Sequence, residues 1–203
     1  MRSPSRVDVK EVTLTRDFYE GDTVKVARQL LGNVLVRELN ASRVQGIIVE
    51  TEAYRGCDDP ASHAYGGPTR RNEVMFGEAG HAYVYFTYGM HYCLNVTTEP
   101  IDQPGAVLIR AVQPVEGIEK MRQRRGIREI RDLANGPAKL TQAFAVTKCL
   151  NGHDLTLGKK LFILEAEDSE SFEVVSTTRI GIKTGLEKPW RFFIKGNPFV
   201  SKQ

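Results

Sequence analysis

The chain has 203 residues, 41% of them hydrophobic and 26% charged, with 28 Lys and Arg against 25 Asp and Glu for a formal net charge of +3. That length fits one domain on a scale of roughly 100–200 residues, and the balance excludes a disordered or collagen-like chain while neither demanding nor forbidding a polyanionic partner. No apolar run reaches the roughly 18 residues of a membrane span, MRSPSRVDVK has no signal-peptide stretch, and Cys57, Cys93 and Cys149 form no C-x-x-C pair, which argues against a disulfide framework and for a reducing intracellular compartment.

In chain order, residues 1–16 read as a polar N-terminal arm ahead of a single domain over 17–203. Asp22-Thr23 offers an N-cap to VKVARQLLG, where Val24, Ala27, Leu30 and Leu31 share a helical stripe and Gly32 suits the position after the helix end. Strand-like runs follow at 33–39 and 44–54. A loop rich in Gly, Asp, Pro and Ser over 56–72 leads into an aromatic run at 80–88 with period-2 alternation, and a turn at Tyr88-Gly89 pairs it with 92–97 as a hairpin. Residues 105–112 read as another strand. Pro114 stands where a first-turn proline is tolerated, predicting a helix over PVEGIEKMRQRR, and Pro137 opens a second helix through Leu140 and Phe144. Asn151-Gly152 is a turn, with late strands at 160–164 and 190–195. Helices and strands are not regularly interleaved. The pattern therefore reads as α+β, a single domain with a mainly antiparallel curved sheet, surrounding helices and a protruding aromatic β-hairpin.

Two segments carry most of the chemical information. In IIVETEAYRG, period 2 places Glu50, Glu52 and Tyr54 on one strand face; exposed, they are ordinary surface, but lining a pocket they set a carboxylate beside an aromatic ring, where its pKa rises toward the range of a general base. HAYVYFTYGMHYCLN holds four of the seven tyrosines, with Tyr83 and Tyr85 on one face and Tyr88 at the tip. That is either a packed aromatic core or a stacking platform with a wedge. The run KMRQRRGIREIR has six basic residues and one acid, a solvated face or a phosphate contact. His63, His81, His91 and His153 lack zinc-ligand spacing, so no metal or other cofactor is expected, and no P-loop, G-x-S-x-G or G-x-G-x-x-G motif occurs.

Seven stretches in order resemble the alkyladenine (3-methyladenine) DNA glycosylase family: VETEAY at 49–54, ASHAYGG at 61–67, RNEVMF at 71–76, YVYFTYGMHYCLN at 83–95, VLIRAVQPVEG at 107–117, GPAKLTQAFAV at 136–146 and RFFIKGNPFVS at 191–201. The similarity is to the compact bacterial form. It implies a monofunctional enzyme that turns damaged purines out of double-stranded DNA and hydrolyses the N-glycosidic bond, working as a monomer in the cytoplasm or nucleoid with no membrane association. It also implies roles: Glu52 as general base and Arg110 as its partner in placing the water, with a main-chain carbonyl near Ile180 as a third contact. Tyr54, His63 and Tyr85 match the walls that hold the extruded base, and Asn95 a residue that crowds the amino group of guanine. Tyr88 matches the intercalating wedge, with Met90 and His91 following it against DNA; the residues themselves, rather than the resemblance, offer Arg70 and Arg71 as a phosphate contact, and Lys139 in GPAKL reads as a phosphate contact or a structural lysine. The 66–72 loop is one residue shorter and the segment before Arg110 two longer than the vertebrate pattern, and His91 replaces a tyrosine. The rival reading is a non-catalytic nucleic-acid-binding module built on the aromatic hairpin and the basic helix.

Overall fold

The computed structural model describes residues 9–87, 89–166 and 172–202. The chain runs β1 (Val9–Thr13), α1 (Arg16–Tyr19), α2 (Thr23–Gln29), β2 (Val34–Leu39), β3 (Ser42–Tyr54), β4 (Ala82–Thr87), β5 (His91–Thr98), β6 (Gly105–Glu116), α3 (Ile118–Arg125), α4 (Pro137–Ala143), β7 (Leu161–Ala166), β8 (Val174–Thr177) and β9 (Arg191–Ile194). The nine described strands form one sheet in the order β1-β7-β2-β3-β6-β5-β4, with β9 joining β3 to β8, and every pairing is antiparallel. The α+β, mainly antiparallel reading holds. Among the described residues no helix is long and apolar enough to cross a membrane.

Local chemistry explains most of the boundaries. Asp22 caps α2, its Oδ1 accepting from the backbone N–H groups of Val24 and Lys25 at 3.1 and 3.0 Å. Leu39 pairs with Ser42 across a two-residue loop in which Asn40 and Ala41 both have positive φ, the hairpin geometry whose twist matches the strands. Pro137 occupies the first turn of α4, where its missing N–H costs nothing.

Two differences from the sequence expectations have clear causes. Pro114 does not open a helix; β6 continues through it to Glu116. Pro114 faces Gly46 of β3 beside a register shift, and because β5 pairs with β6 only at residues 105–108 its other side has no strand partner to demand an N–H. The helix starts instead after Gly117, whose φ of +72° and close approach to the Arg43 carbonyl, 2.5 Å from where a Cβ would stand, suit glycine alone. At the other end, Val9–Thr13, inside the stretch read as a polar arm, adds β1 to the sheet beside β7.

The core lies between the sheet and α2, α3 and α4, with Leu30, Ile48, Ile109, Met121, Leu140 and Phe144 fully buried. β3 is the hub. Its first half pairs with β2 and its second with β9 along one edge, while β6 runs along the other. The β3–β6 register shifts at three places, between Gln45 and Gly46, between Ile48 and Glu50, and between Glu50 and Thr51; at the last, Thr51 faces Ile109 but Glu50 faces Ala111, leaving Arg110 as the additional residue of a bulge. Bulges re-aim side chains, and this one sits beside the site described next.

Candidate active site

β3, β4, β5 and β6, the loop over 60–71 and the loop after Thr177 surround a cavity of about 530 Å³. Tyr54, His63, Tyr85, Asn95, Arg110 and Ile180 all line it. Tyr83 and Tyr85 project from the same face of β4, as alternation requires, with ring centroids 5.3 Å apart. The His63 ring meets Tyr85 edge-on at 4.6 Å, and its Nδ1 lies 2.8 Å from the Tyr83 hydroxyl. Burial and the nearby Arg71 guanidinium lower the His63 pKa to about 4, so this wall of the cavity is neutral at physiological pH. Burial drives the Tyr54 and Tyr85 phenols well above their ordinary range, keeping both protonated. The aromatic walls Tyr54, His63 and Tyr85 are therefore uncharged, in a cavity whose lining also includes Arg71 and Arg110.

Glu52 lies behind this cavity with no exposed surface. Its Oε2 accepts the Tyr54 hydroxyl at 2.8 Å and Arg110 Nη1 at 3.1 Å, and its Oε1 accepts the Ile180 backbone N–H at 2.7 Å. Those three donors all belong to residues that line the cavity. A carboxylate has about four acceptor positions, so one remains, on Oε1. Burial raises the Glu52 pKa; Arg110, the Ile180 N–H and the Tyr54 hydroxyl only partly offset it, and neighbouring Glu50 adds to the rise. The group is therefore a stronger base than a solvated glutamate.

The other residues singled out in the sequence distribute around this centre. Asn95 is buried and donates Nδ2 to the Tyr83 carbonyl at 3.0 Å. Arg71 and His91 line the cavity, with the Arg71 guanidinium 5.1 Å from the centre of the Tyr85 ring. Met90 is 70% exposed and Arg70 is exposed as well. Lys139 stands outside the cavity wall and donates to Asn135 Oδ1 at 2.7 Å, although its helix neighbours Pro137 and Ala138 reach the wall. At Ile180 the main chain engages Glu52 through N–H. Tyr88 lies outside the described residues. The three cysteines are free, and among the described residues no cluster of three His, Cys, Asp or Glu side chains suits a metal ion.

Two parts of the site were not foreseen. Arg179 forms a bidentate pair with Asp59 at 2.5 and 2.7 Å, both side chains fully buried, and donates to the Ala53 carbonyl at 2.9 Å. Its guanidinium sits 4.7 Å from the centre of the Tyr54 ring, so one arginine braces both that wall and the backbone leading to Ile180. Lys183, on the same loop, brings a cation to the cavity. Arg179 and Asp59 lie 120 positions apart, a separation that local spacing cannot signal.

Comparison with known proteins places the chain beside named relatives. The family described as methylpurine-DNA glycosylase (MPG) matches residues 17–198. Proteins bearing the name "Putative 3-methyladenine DNA glycosylase" are similar over nearly their whole length. One from Carboxydothermus hydrogenoformans is 55% identical over 190 residues, covering 94% of this chain and 99% of the relative. One from Clostridium acetobutylicum is 48% identical over 200 residues (93% and 97%), and one from Methanocella arvoryzae 49% over 195 residues (94% and 96%).

Proposed function

The chain belongs to the methylpurine-DNA glycosylase family, and from that premise we propose that it flips alkylated or deaminated purines out of duplex DNA and hydrolyses their N-glycosidic bond with an activated water. The product is an abasic site for base excision repair. The substrates are 3-methyladenine, 7-methylguanine, hypoxanthine and ethenoadenine, the class of purines whose glycosidic bond or pairing is weakened. The observation that carries this reading is the buried Glu52 directly behind an aromatic cavity, held by three donors from cavity-lining residues with one acceptor position left open.

The chemistry follows from the parts. A stacked base is out of reach, so the nucleotide must be extruded at a cost of a few kcal/mol. On this reading Tyr88 fills the vacated stack, and Met90 and His91 also contact the DNA. Tyr54, His63 and Tyr85 hold the extruded base, recovering about 1–3 kcal/mol per stacked ring. Asn95 crowds the exocyclic amino group of guanine. The C1′–N bond breaks with oxocarbenium character, the base leaving with the bonding pair, and water held at the remaining acceptor position of Oε1 gives its proton to Glu52 as its oxygen bonds to C1′, while Arg110 keeps the carboxylate oriented. A cationic methylated base leaves without an acid. Arg70, Arg71, Lys139 and Lys183 meet phosphate, and the enzyme acts as a monomer.

The test is base release from an inosine-containing duplex, read on a gel after alkali. Glu52→Gln should bind the duplex as wild type does and lose base release by at least about 10³-fold, since it keeps the shape but not the proton acceptor. Release at near wild-type rate by this variant would remove Glu52 from its role. Salt-sensitive binding with no release by wild type would favour a binding module instead. Strand cleavage before alkali would replace hydrolysis with lysine chemistry, with Lys183 the first suspect.

A further inference from the structure

Glu50 is a second carboxylate with no exposed surface, two residues before Glu52 on β3. It does not line the cavity, and the reaction described above gives it no part. Yet it is the most heavily engaged acceptor in this region. Its Oε1 accepts Arg110 Nε at 2.8 Å, Arg191 Nε at 2.7 Å and the Ser201 hydroxyl at 2.9 Å, while Oε2 accepts the Ser201 backbone N–H at 2.7 Å. A buried ion pair is weak evidence for stability, because packed apolar side chains of similar volume often serve as well. The arrangement does fix the Arg110 guanidinium.

A guanidinium is a rigid planar fork, so holding one edge sets the direction of the others. With Nε on Glu50, Nη1 lies on Glu52 Oε2 at 3.1 Å and Nη2 lies 3.4 Å from Ser201 Oγ. The bulge that makes Arg110 the additional residue on β6 brings the fork to the side where both carboxylates wait. We propose that Glu50, backed by Arg191 and Ser201, is a positioning residue that clamps the Nε edge of Arg110 and thereby sets both the direction and the strength of its contact with Glu52. The inference rests on the glycosylase reading of Glu52.

The charges facing the pair fix the sign of the effect. Glu50 faces Arg110 from β6 and Arg191 from β9, with the Ser201 donors behind it. Glu52 faces Arg110, the Tyr54 hydroxyl, the Ile180 N–H and Glu50, with Arg179 and the Cys93 thiol further off. Burial opposes ionisation of Glu50, but its two arginines and Ser201 outweigh it and hold the group ionised below the usual carboxylate range. Neutralising Glu50 therefore removes a like charge from beside Glu52 and leaves Arg110 undivided. Glu52 becomes a stronger acid and a weaker base. The uncharged amide in Glu50→Gln also turns an –NH2 toward donors, which turns the fork and lowers the rate, while Arg110 stays paired with Glu52 as its one remaining carboxylate partner.

The experiment is single-turnover hypoxanthine release against pH for wild type, Glu50→Gln and Glu50→Asp, with duplex binding measured in parallel. For Glu50→Gln the acid limb should move down by about 0.5–1 pH unit. Its neutral-pH rate should fall by about tenfold or more, as for a displaced positioning group, with binding within about twofold. Glu50→Asp keeps the charge and shortens the reach, so its rate should fall while the limb stays where it is. A rate loss in folded Glu50→Gln with the limb unmoved would reduce Glu50 to a packing role and overturn the proposal. If Glu50→Gln does not fold, the aspartate variant decides, and a wild-type rate there overturns it too. Side-chain ¹³C NMR titration of Glu52 in wild type and Glu50→Gln reads the same shift without turnover. Failure of the wild type to release base would therefore sink the glycosylase reading while leaving the clamp supported by a downward shift or overturned by none.

Discussion

The Tyr54 hydroxyl does two jobs that can be separated at the level of a single atom. Its ring is a cavity wall, and its O–H stabilises the ionised form of Glu52 from 2.8 Å. Tyr54→Phe keeps the ring and removes the donor. Burial, which already raises the Glu52 pKa, is then opposed only by Arg110 and the Ile180 N–H. The general base must be ionised to act, so the acid limb of base release should move up, by about 0.5–1 pH unit for one lost hydrogen bond to a charged group. Binding of the lesion duplex should be nearly unchanged. A limb that stays put or moves down would mean that the hydroxyl does not act on Glu52. The direction is opposite to that expected of Glu50→Gln, so the two substitutions check each other. Period 2 on β3 was enough to place Glu50, Glu52 and Tyr54 together. It could not rank the two carboxylates, because that ranking depends on which of them receives Arg191 and Ser201 from the far end of the chain.

Among the elements, the loop that follows β8 has no regular secondary structure of its own, yet it supplies the Ile180 N–H to the site. The buried Arg179–Asp59 pair ties it to the rest of the fold, with Thr184 donating to the Pro60 carbonyl and Lys188 to the Asp58 carbonyl. Asp59→Ala leaves a guanidinium buried without its charge partner and should cost about 3–5 kcal/mol in urea unfolding, the usual range for a broken buried pair. Base release at permissive temperature should fall as well, because Ile180 loses its anchor. A loss under about 1 kcal/mol would show the loop is held by something else. Legibility in the sequence divides along the same line. Strands with clean alternation, the Asp22 cap, the Pro137 helix start and the antiparallel pairing of β4 with β5 all come from short-range pattern. β1 and β8 do not, being brief edge elements whose pairing partners β7 and β9 define them. Pro114 misled because a proline tolerated at a helix start is tolerated equally on an unpaired strand edge, and only the length of β5 decides between them. The aromatic cavity was legible in part through its tyrosines, whereas Arg179, Asp59 and Lys183 reach it by tertiary contact alone.

At the scale of the whole molecule, a net charge of +3 hides where the cations are used. The basic run over 120–131 looks like a phosphate-binding stripe, but several of its arginines point back into the protein. Arg124 donates to the Ala143 carbonyl and Arg122 to the Arg128 carbonyl, each at 2.9 Å, Arg125 reaches Gln142, and Arg131 reaches the Pro198 carbonyl. Arg71 and Lys183, by contrast, line the cavity, where the proposed reaction would bring the backbone of an extruded nucleotide. DNA affinity depends on salt through the number of phosphates neutralised, with a log–log slope of about −0.9 per contact. Arg71→Ala and Lys183→Ala should each flatten that slope by about 1 and weaken binding to damaged and undamaged duplex alike. Arg124→Ala should leave the slope unchanged and lower thermal stability instead, because it removes a tie between α3 and the end of α4. Measuring binding at several salt concentrations for the three variants decides the matter. If Arg124 carries the slope and the cavity cations do not, DNA approaches over the α3 face, and the protein's affinity for duplex is set away from its cavity.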